Sequence, residues 1–210
     1  MPPSRPTPAP SSLPSLPSPA PRPMRADARR NYERIVAIAE VLVAEQGADV
    51  SLEEVARVAG VGSATLHRHF PSRQLLLETV FKGRVAALCA QADHRAAALP
   101  PETALTEWLH DLGAHAVANR GLGASLLRSA REETGGDPGF GATCHAMIAA
   151  AGQRLLDRAA ATGAVRSDVP IAPLLKLVSA IATTTEDDPD ATAETRRLIT
   201  LALTGLRPAP

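Results

Sequence analysis

The stretch A-G-V-G-S-A-T-L-H-R-H-F-P-S-R-Q-L-L, Ala59 to Leu76, restricts what this chain can fold into more than any other. Just before it, Ser51-Leu-Glu-Glu54 fits a capping box, in which the serine hydroxyl meets the amide three residues on and the glutamate reaches back. A short helix over about 51–58 follows from this, and Gly60 stands where such a helix ends. After the turn Gly60-Val61-Gly62, a second short helix is expected over about 63–69, because Pro71 pushes the residues before it out of helical geometry. Ser72 then caps another. Helices this short and this close need a small residue where they cross, a glycine able to take positive φ in the turn, and an apolar residue facing back from the second helix. Ala56, Gly60 and Leu66 occupy those places, and Val55, Val61 and Phe70 complete the inward side. A corner serving only the core would place no demand on the outer side of the second helix. Here that side is short and polar: Ser63, Thr65, His67, Arg68 and His69.

His67-Arg68-His69 also has the composition of a metal or catalytic cluster, and its spacing argues against both. Successive helical residues turn by ~100°, so the two imidazoles lie ~200° apart and cannot chelate one ion from one face. Helical metal pairs sit four residues apart, and no H-x-x-x-H occurs in the motif. No nucleophile or carboxylate stands out beside either ring for general-base work. With no phosphate loop or nucleophile-base pair elsewhere, no catalytic residue, metal or cofactor is expected. Cys89 and Cys144 are far apart and read as reduced thiols.

Hydrophobic residues make up 45% of the chain but aromatics only 2%, so the core is built mainly of Ala, Leu and Val, which favours close-packed helices over sheets. Residues 1–23 hold 10 of the 19 prolines and read as a disordered tail, with a Pro-rich ligand segment as the alternative. A first amphipathic helix is expected over 27–46, from Tyr32, Ile35, Ile38, Ala39 and Leu42, with Gly47 as its stop. The helix capped by Ser72 runs to about Ala98. Leu105, Trp108, Leu109, Leu112 and Ala116 mark the next; Leu122, Leu126 and Leu127 a short one; Cys144, Ile148, Ala151 and Leu155 another; Leu174, Val178 and Ile181 the one after. Asp188-Pro189 opens the last, ending near Leu206. The expectation is an all-α protein of about nine helices: a tail over 1–23, a three-helix unit over 24–71 and a larger helical unit over 72–207. The formal net charge is zero, yet residues 1–84 carry 11 Lys+Arg against 8 Asp+Glu, with Arg29 among the clustered arginines. No segment approaches the ~18 to 20 consecutive apolar residues of a membrane span and no secretory leader is evident, so a cytoplasmic protein with no membrane partner is expected.

Residues 25–81 resemble the DNA-binding domain of the TetR family of transcriptional regulators, whose pattern A-G-V-(S/G)-x-x-T-L-Y-x-H-F-x-(S/N)-(K/R)-x-x-L is met at nearly every marked position. His67 stands where the family usually has tyrosine. An imidazole also donates a hydrogen bond to phosphate, more strongly when protonated, which adds pH sensitivity to that contact. The resemblance implies that the start of the second motif helix enters the major groove of double-stranded DNA with Ser63, Ala64 and Thr65 nearest base edges. It further implies that His67 and His69 contact phosphates, that Arg73 and Ser51 grip the backbone on either side, and that Arg68 takes either role. Arg29 and its neighbours add attraction through counterion release.

The same resemblance implies a homodimer on a palindromic operator, joined by the last two helices as a four-helix bundle with Leu174, Val178, Ile181, Leu198, Ala202 and Gly205 at the interface. It implies a pocket for an unknown small-molecule effector, with Leu88, Trp108, Leu112, His115, Phe140, Cys144 and Met147 as lining candidates. The expected function is a ligand-responsive regulator, a repressor released by its effector. A helical architectural or protein-interaction module without an effector, and a TetR-like activator, are the alternatives.

Overall fold

A computed structural model of the chain describes residues 22–119 and 139–203, with side chains from residue 26 onward. Among the described residues there are eight α-helices and no strand: α1 Arg22–Gln46, α2 Leu52–Ala59, α3 Ser63–His69, α4 Arg73–Ala98, α5 Pro101–Ala118, α6 Phe140–Ala161, α7 Ile171–Thr184 and α8 Ala191–Leu203. The all-α expectation holds. A 3-10 turn, Gly47–Asp49, joins α1 to α2, with Gly47 at φ 71°. The short helix expected at Leu122–Leu127, the interface candidate Gly205 and residues 1–21 of the expected tail lie outside the described residues.

Two boundaries differ from the sequence expectation. The first helix begins at Arg22 rather than 27, taking in Arg22 and Pro23 from the end of the expected tail. Proline fits there because amides of the first turn have no internal partner. The last helix begins at Ala191 instead of at Asp188-Pro189, since Asp190 supplies the cap: its Oδ1 accepts from the Ala193 amide at 3.2 Å.

The helix α5 organises the larger part of the fold, packing against α4, α6, α7 and α8. Its buried Ala104, Leu105, Trp108, Leu109 and Leu112 recur at one- and three-to-four-residue steps, giving an apolar side wide enough for several neighbours. Two glycines set the closest approaches. A Cβ at Gly113 would stand 2.7 Å from Ile199 Cδ1, and one at Gly152 would stand 2.8 Å from Trp108 Cζ3, so both crossings need a bare backbone. Ion pairs pin the outer surfaces, including the half-buried Arg95–Asp111 pair at 2.6 Å and Arg196–Glu107 at 2.9 Å.

Buried side chains form two cores. One joins α1, α2, α3 and the first half of α4 to Phe140 and Cys144 at the start of α6. The other joins the second half of α4 to α5, the rest of α6, α7 and α8. Helix α4, 26 residues and about 39 Å long, is shared between them, with Leu76, Leu77, Val80 and Val85 in one core and Leu88 and Ala92 in the other.

Candidate nucleic-acid interface and cavity

The α2–α3 corner closes through backbone and core together. Gly60 takes φ 63° and ψ 35°, left-handed geometry that costs an L-residue roughly 1–2 kcal/mol, and this lets the Val61 amide donate to Ala56 O at 3.0 Å. Ser51 Oγ accepts from the Glu54 amide at 3.1 Å, the serine half of the expected capping box, while the Glu54 carboxylate accepts from Gln46 Nε2 at 3.3 Å instead of reaching back. Leu66 and Phe70 are buried at 0% and 1% exposure beside Val50, Val55 and Ala56, so α3 has one rotational setting.

That setting turns Ser63, Ala64, His67 and Arg68 to solvent, with Thr65 and His69 half-buried at the edge. Tyr32 of α1 stacks on Phe70 with ring centroids 5.3 Å apart and meets His69 edge-on at 6.0 Å. The end of α3 is thereby braced against α1, a positioning role that the sequence reading of Tyr32 as an ordinary apolar position missed. Arg73 is exposed at the first position of α4. Arg29 is exposed but paired with Glu33 at 2.8 Å, whose carboxylate holds the guanidinium pKa above its usual value. Ser51 is exposed; its oxygen accepts from Glu54, and its hydroxyl proton is left to donate outward.

Farther along, a cavity of about 600 Å³ opens between four helices. Phe81 lines it from α4; Leu112, His115, Ala116 and Asn119 from α5 and its cap; His145 and Ile148 from α6. Leu175, Lys176, Ser179, Ala182, Thr183 and Glu186 line it along and just beyond α7. Of the seven lining candidates read from sequence, Leu112 and His115 reach this cavity. The others lie elsewhere because helical periodicity marks a side chain for burial without saying what it is buried against. Trp108 is fully buried, its indole N–H donating to Leu88 O at 3.1 Å within the second core. Phe140 and Cys144 belong to the first core, Phe140 packing on Phe81 with centroids 5.7 Å apart, and Met147 packs beside them. The α7 side of the cavity was unforeseen; its only sequence signal was the polar series Lys176, Ser179, Thr183 and Glu186 at three- and four-residue steps.

A polar chain links the cavity to α1. Arg84, half-buried on α4, donates from Nη1 to Asn119 Oδ1 at 2.6 Å and from Nη2 to the Glu40 carbonyl of α1 at 3.0 Å. Asn119, almost fully buried, reaches the His115 carbonyl at 2.8 Å and ring Nδ1 at 3.2 Å. Burial, and secondarily the positive charge of Arg84, pushes the His115 pKa below the usual histidine value.

Of the interface candidates, Leu174 and Val178 are buried against the chain's own core, while Ile181, Leu198 and Ala202 are half-buried. The exposed large apolar residues described on these helices are Leu177 and Leu201, at 41% and 56% exposure. Burial raises both cysteine pKa values. Among the described residues no group of three or more His, Cys, Asp or Glu is placed to hold a metal ion, and no helix is long and apolar enough to cross a membrane.

Residues 35–80 match the family described as bacterial regulatory proteins, tetR family, and residues 100–208 match the C-terminal domain described as transcriptional regulator SbtR-like. The TetR transcriptional regulator SCO0520 of Streptomyces coelicolor is 37% identical over 85% of this chain and 99% of its own, with a TM-score of 0.68. A TetR transcription regulatory protein of Mycobacterium vanbaalenii is 32% identical over 89% of this chain and all of its own, with a TM-score of 0.65. The HTH-type transcriptional regulator SAR0097 of Staphylococcus aureus is 39% identical over 67 residues, 30% of this chain and 35% of its own length. That match spans about a third of the curated relative, whereas the two solved structures are matched nearly end to end. The motif at Ala59–Leu76, the all-helical architecture and these matches agree, and the chain belongs to the TetR family of helix-turn-helix transcriptional regulators.

Proposed function

We propose that the protein is a homodimeric repressor that binds a palindromic operator and is released when a small molecule fills the cavity between α4, α5, α6 and α7. The observation that carries this reading is the pairing of an outward polar rim on α3 with a cavity of about 600 Å³ whose wall includes Phe81 of the adjoining helix, α4. In it, Ser63, Ala64 and Thr65 meet base edges, and Ala64 suits a thymine methyl. His67, His69, Arg73 and the Ser51 hydroxyl hold phosphates, Arg68 reaches either, and Arg29 contributes positive field. A single corner touches too little DNA for specificity, so two copies related by a two-fold axis read two half-sites. The outward Leu177 and Leu201, with the half-buried Ile181, Leu198 and Ala202, suit the pairing of α7 and α8 with their mates.

Release needs only a coupling of about 1–3 kcal/mol between cavity and operator. The Arg84 bridge supports such coupling, since one side chain holds both the cavity-lining Asn119 and the α1 backbone. Footprinting on DNA upstream of the chain's own gene tests the reading, together with sedimentation of the free protein. Two symmetric protected half-sites about one helical turn apart and a dimer are expected. A monomer protecting a single half-site overturns the dimeric repressor. Arg84→Met should leave the footprint in place and weaken its release by ligand.

A further inference from the structure

The Asn119 amide has only one orientation that satisfies its neighbours. The Arg84 guanidinium can only donate, so the atom it meets at 2.6 Å is the carbonyl oxygen, and the amide nitrogen faces His115. That nitrogen donates to Nδ1 of the ring, which therefore carries no proton. A neutral imidazole then has its proton on Nε2, and the buried Nε2 has no hydrogen-bond partner among the described residues. Desolvation and the neighbouring Arg84 charge both act to keep the ring neutral. Phe81 holds it from the side, edge-on with centroids 5.7 Å apart. The cavity wall carries the apolar Phe81, Leu112, Ile148 and Leu175, with the polar Lys176, Ser179, Thr183 and Glu186 along its α7 side. A buried N–H donor selects for a ligand atom that accepts a hydrogen bond.

We propose that the cavity recognises its ligand by seating a carbonyl-type oxygen on His115 Nε2–H, so that the ligand is a mainly apolar molecule bearing a carboxylate or an uncharged carbonyl. This rests on the reading of the cavity as the effector site and names the chemistry that site takes. Neither a primary amine nor a bare hydrocarbon meets the requirement.

The test uses the full chain and four probes sharing one ring system: 1-naphthoate, its methyl ester, 1-naphthylmethylamine and naphthalene. Binding is followed by the shift in thermal midpoint and by titration, because preferential binding to the folded state raises stability by mass action. The acid, the ester or both are expected to bind, and His115→Phe is expected to weaken them at least about tenfold, or 1.4 kcal/mol. Binding of the acid alone, weakened further by Lys176→Met, assigns a carboxylate; equal binding of acid and ester assigns an uncharged carbonyl. The proposal is overturned if the amine or hydrocarbon binds best, if no probe binds, or if His115→Phe changes affinity less than twofold. Ring 15N shifts of His115 in the unsubstituted protein supply a measurement independent of any variant: a proton on Nδ1 in the neutral ring overturns the proposal outright. Operator titrations with each bound probe separate the two readings. Correct probe selectivity with unchanged operator affinity removes the effector role and keeps the chemistry, whereas release by the amine or hydrocarbon does the reverse.

Discussion

The candidate DNA-contacting rim takes every group but Arg29 from one continuous run, Ser51 to Arg73, whereas the cavity gathers its wall from four helices, from Phe81 on α4 to Glu186 beyond α7. In the rim, a short-range design is at work: caps, a left-handed glycine and two buried apolar side chains hold the corner, and its outer residues are left to solvent. In the cavity Arg84, Asn119 and His115 are tied to one another across the fold, and the buried His115 Nε2 has no hydrogen-bond partner among the described residues. A surface that must meet many phosphates keeps its donors exposed, because a long polyanion supplies the partners and desolvation is shared with it. A site for one small molecule does the opposite, satisfying every polar group except those the ligand addresses.

The largest break in this contrast comes from Phe70→Ala. Removing a ring buried on α3 and stacked on Tyr32 is expected to cost about 3–5 kcal/mol in urea unfolding and to abolish operator binding. A loss under about 1 kcal/mol would show that the rim does not rest on that core. Gly152→Ala acts on the second core, where the cavity-forming helices α5, α6 and α7 pack together: the new methyl meets Trp108 and Ile171 within 3 Å, and overpacking of this kind costs about 1–3 kcal/mol. If the two regions are separately built, this variant keeps its DNA affinity under conditions where it remains folded and loses probe binding in the cavity.

Arg73→Ala is a smaller change. It should weaken binding to all DNA sequences alike and flatten the log-log salt dependence by about one unit, while Ser63→Ala alters preference among sequences. Titrations at several salt concentrations decide, and an unchanged slope removes Arg73 from the phosphate contacts. The smallest effect is on pH. Burial lowers the pKa of both His110 and His115 in the folded chain, so the unfolded chain takes up protons first as pH falls below about 6.5. Stability is therefore full above that pH and declines as pH falls toward the folded values. Denaturation at pH 7.5 and 5.5 should show the decline, and His115→Phe should make it shallower.

Much of the rim was legible before any coordinates. Ser51 caps α2, Gly60 turns and Leu66 faces inward, all of which rest on contacts within a few residues. Tyr32 was legible only as an apolar periodic residue, because its stacking on Phe70 joins α1 to the end of α3, with α2 between them in the chain. For the cavity the reading reached Leu112 and His115 but took Leu88, Trp108, Phe140, Cys144 and Met147 with them. All seven are apolar, aromatic or isolated polar residues of helices expected to enclose a pocket, and a void differs from a packed core only in what the opposing helices bring. The same ambiguity affected Leu174 and Val178, whose burial against α5 is equally compatible with an amphipathic pattern that faces a second subunit.

The sequence by itself determined the helical class, the family, the corner at Gly60 and the polar side of α3, because each is encoded by caps, turn geometry and spacing over a single turn or two. Tertiary structure decided where the cavity lies, which side of α7 lines it, and that His115 presents a proton from Nε2. Those follow from partners distant in the chain: Asn119 orients the ring only because Arg84, 35 residues away, takes its oxygen, and Arg84 is itself held by a carbonyl 44 residues earlier. No local pattern specifies such a chain of hydrogen bonds, since each link exists only once the helices have packed.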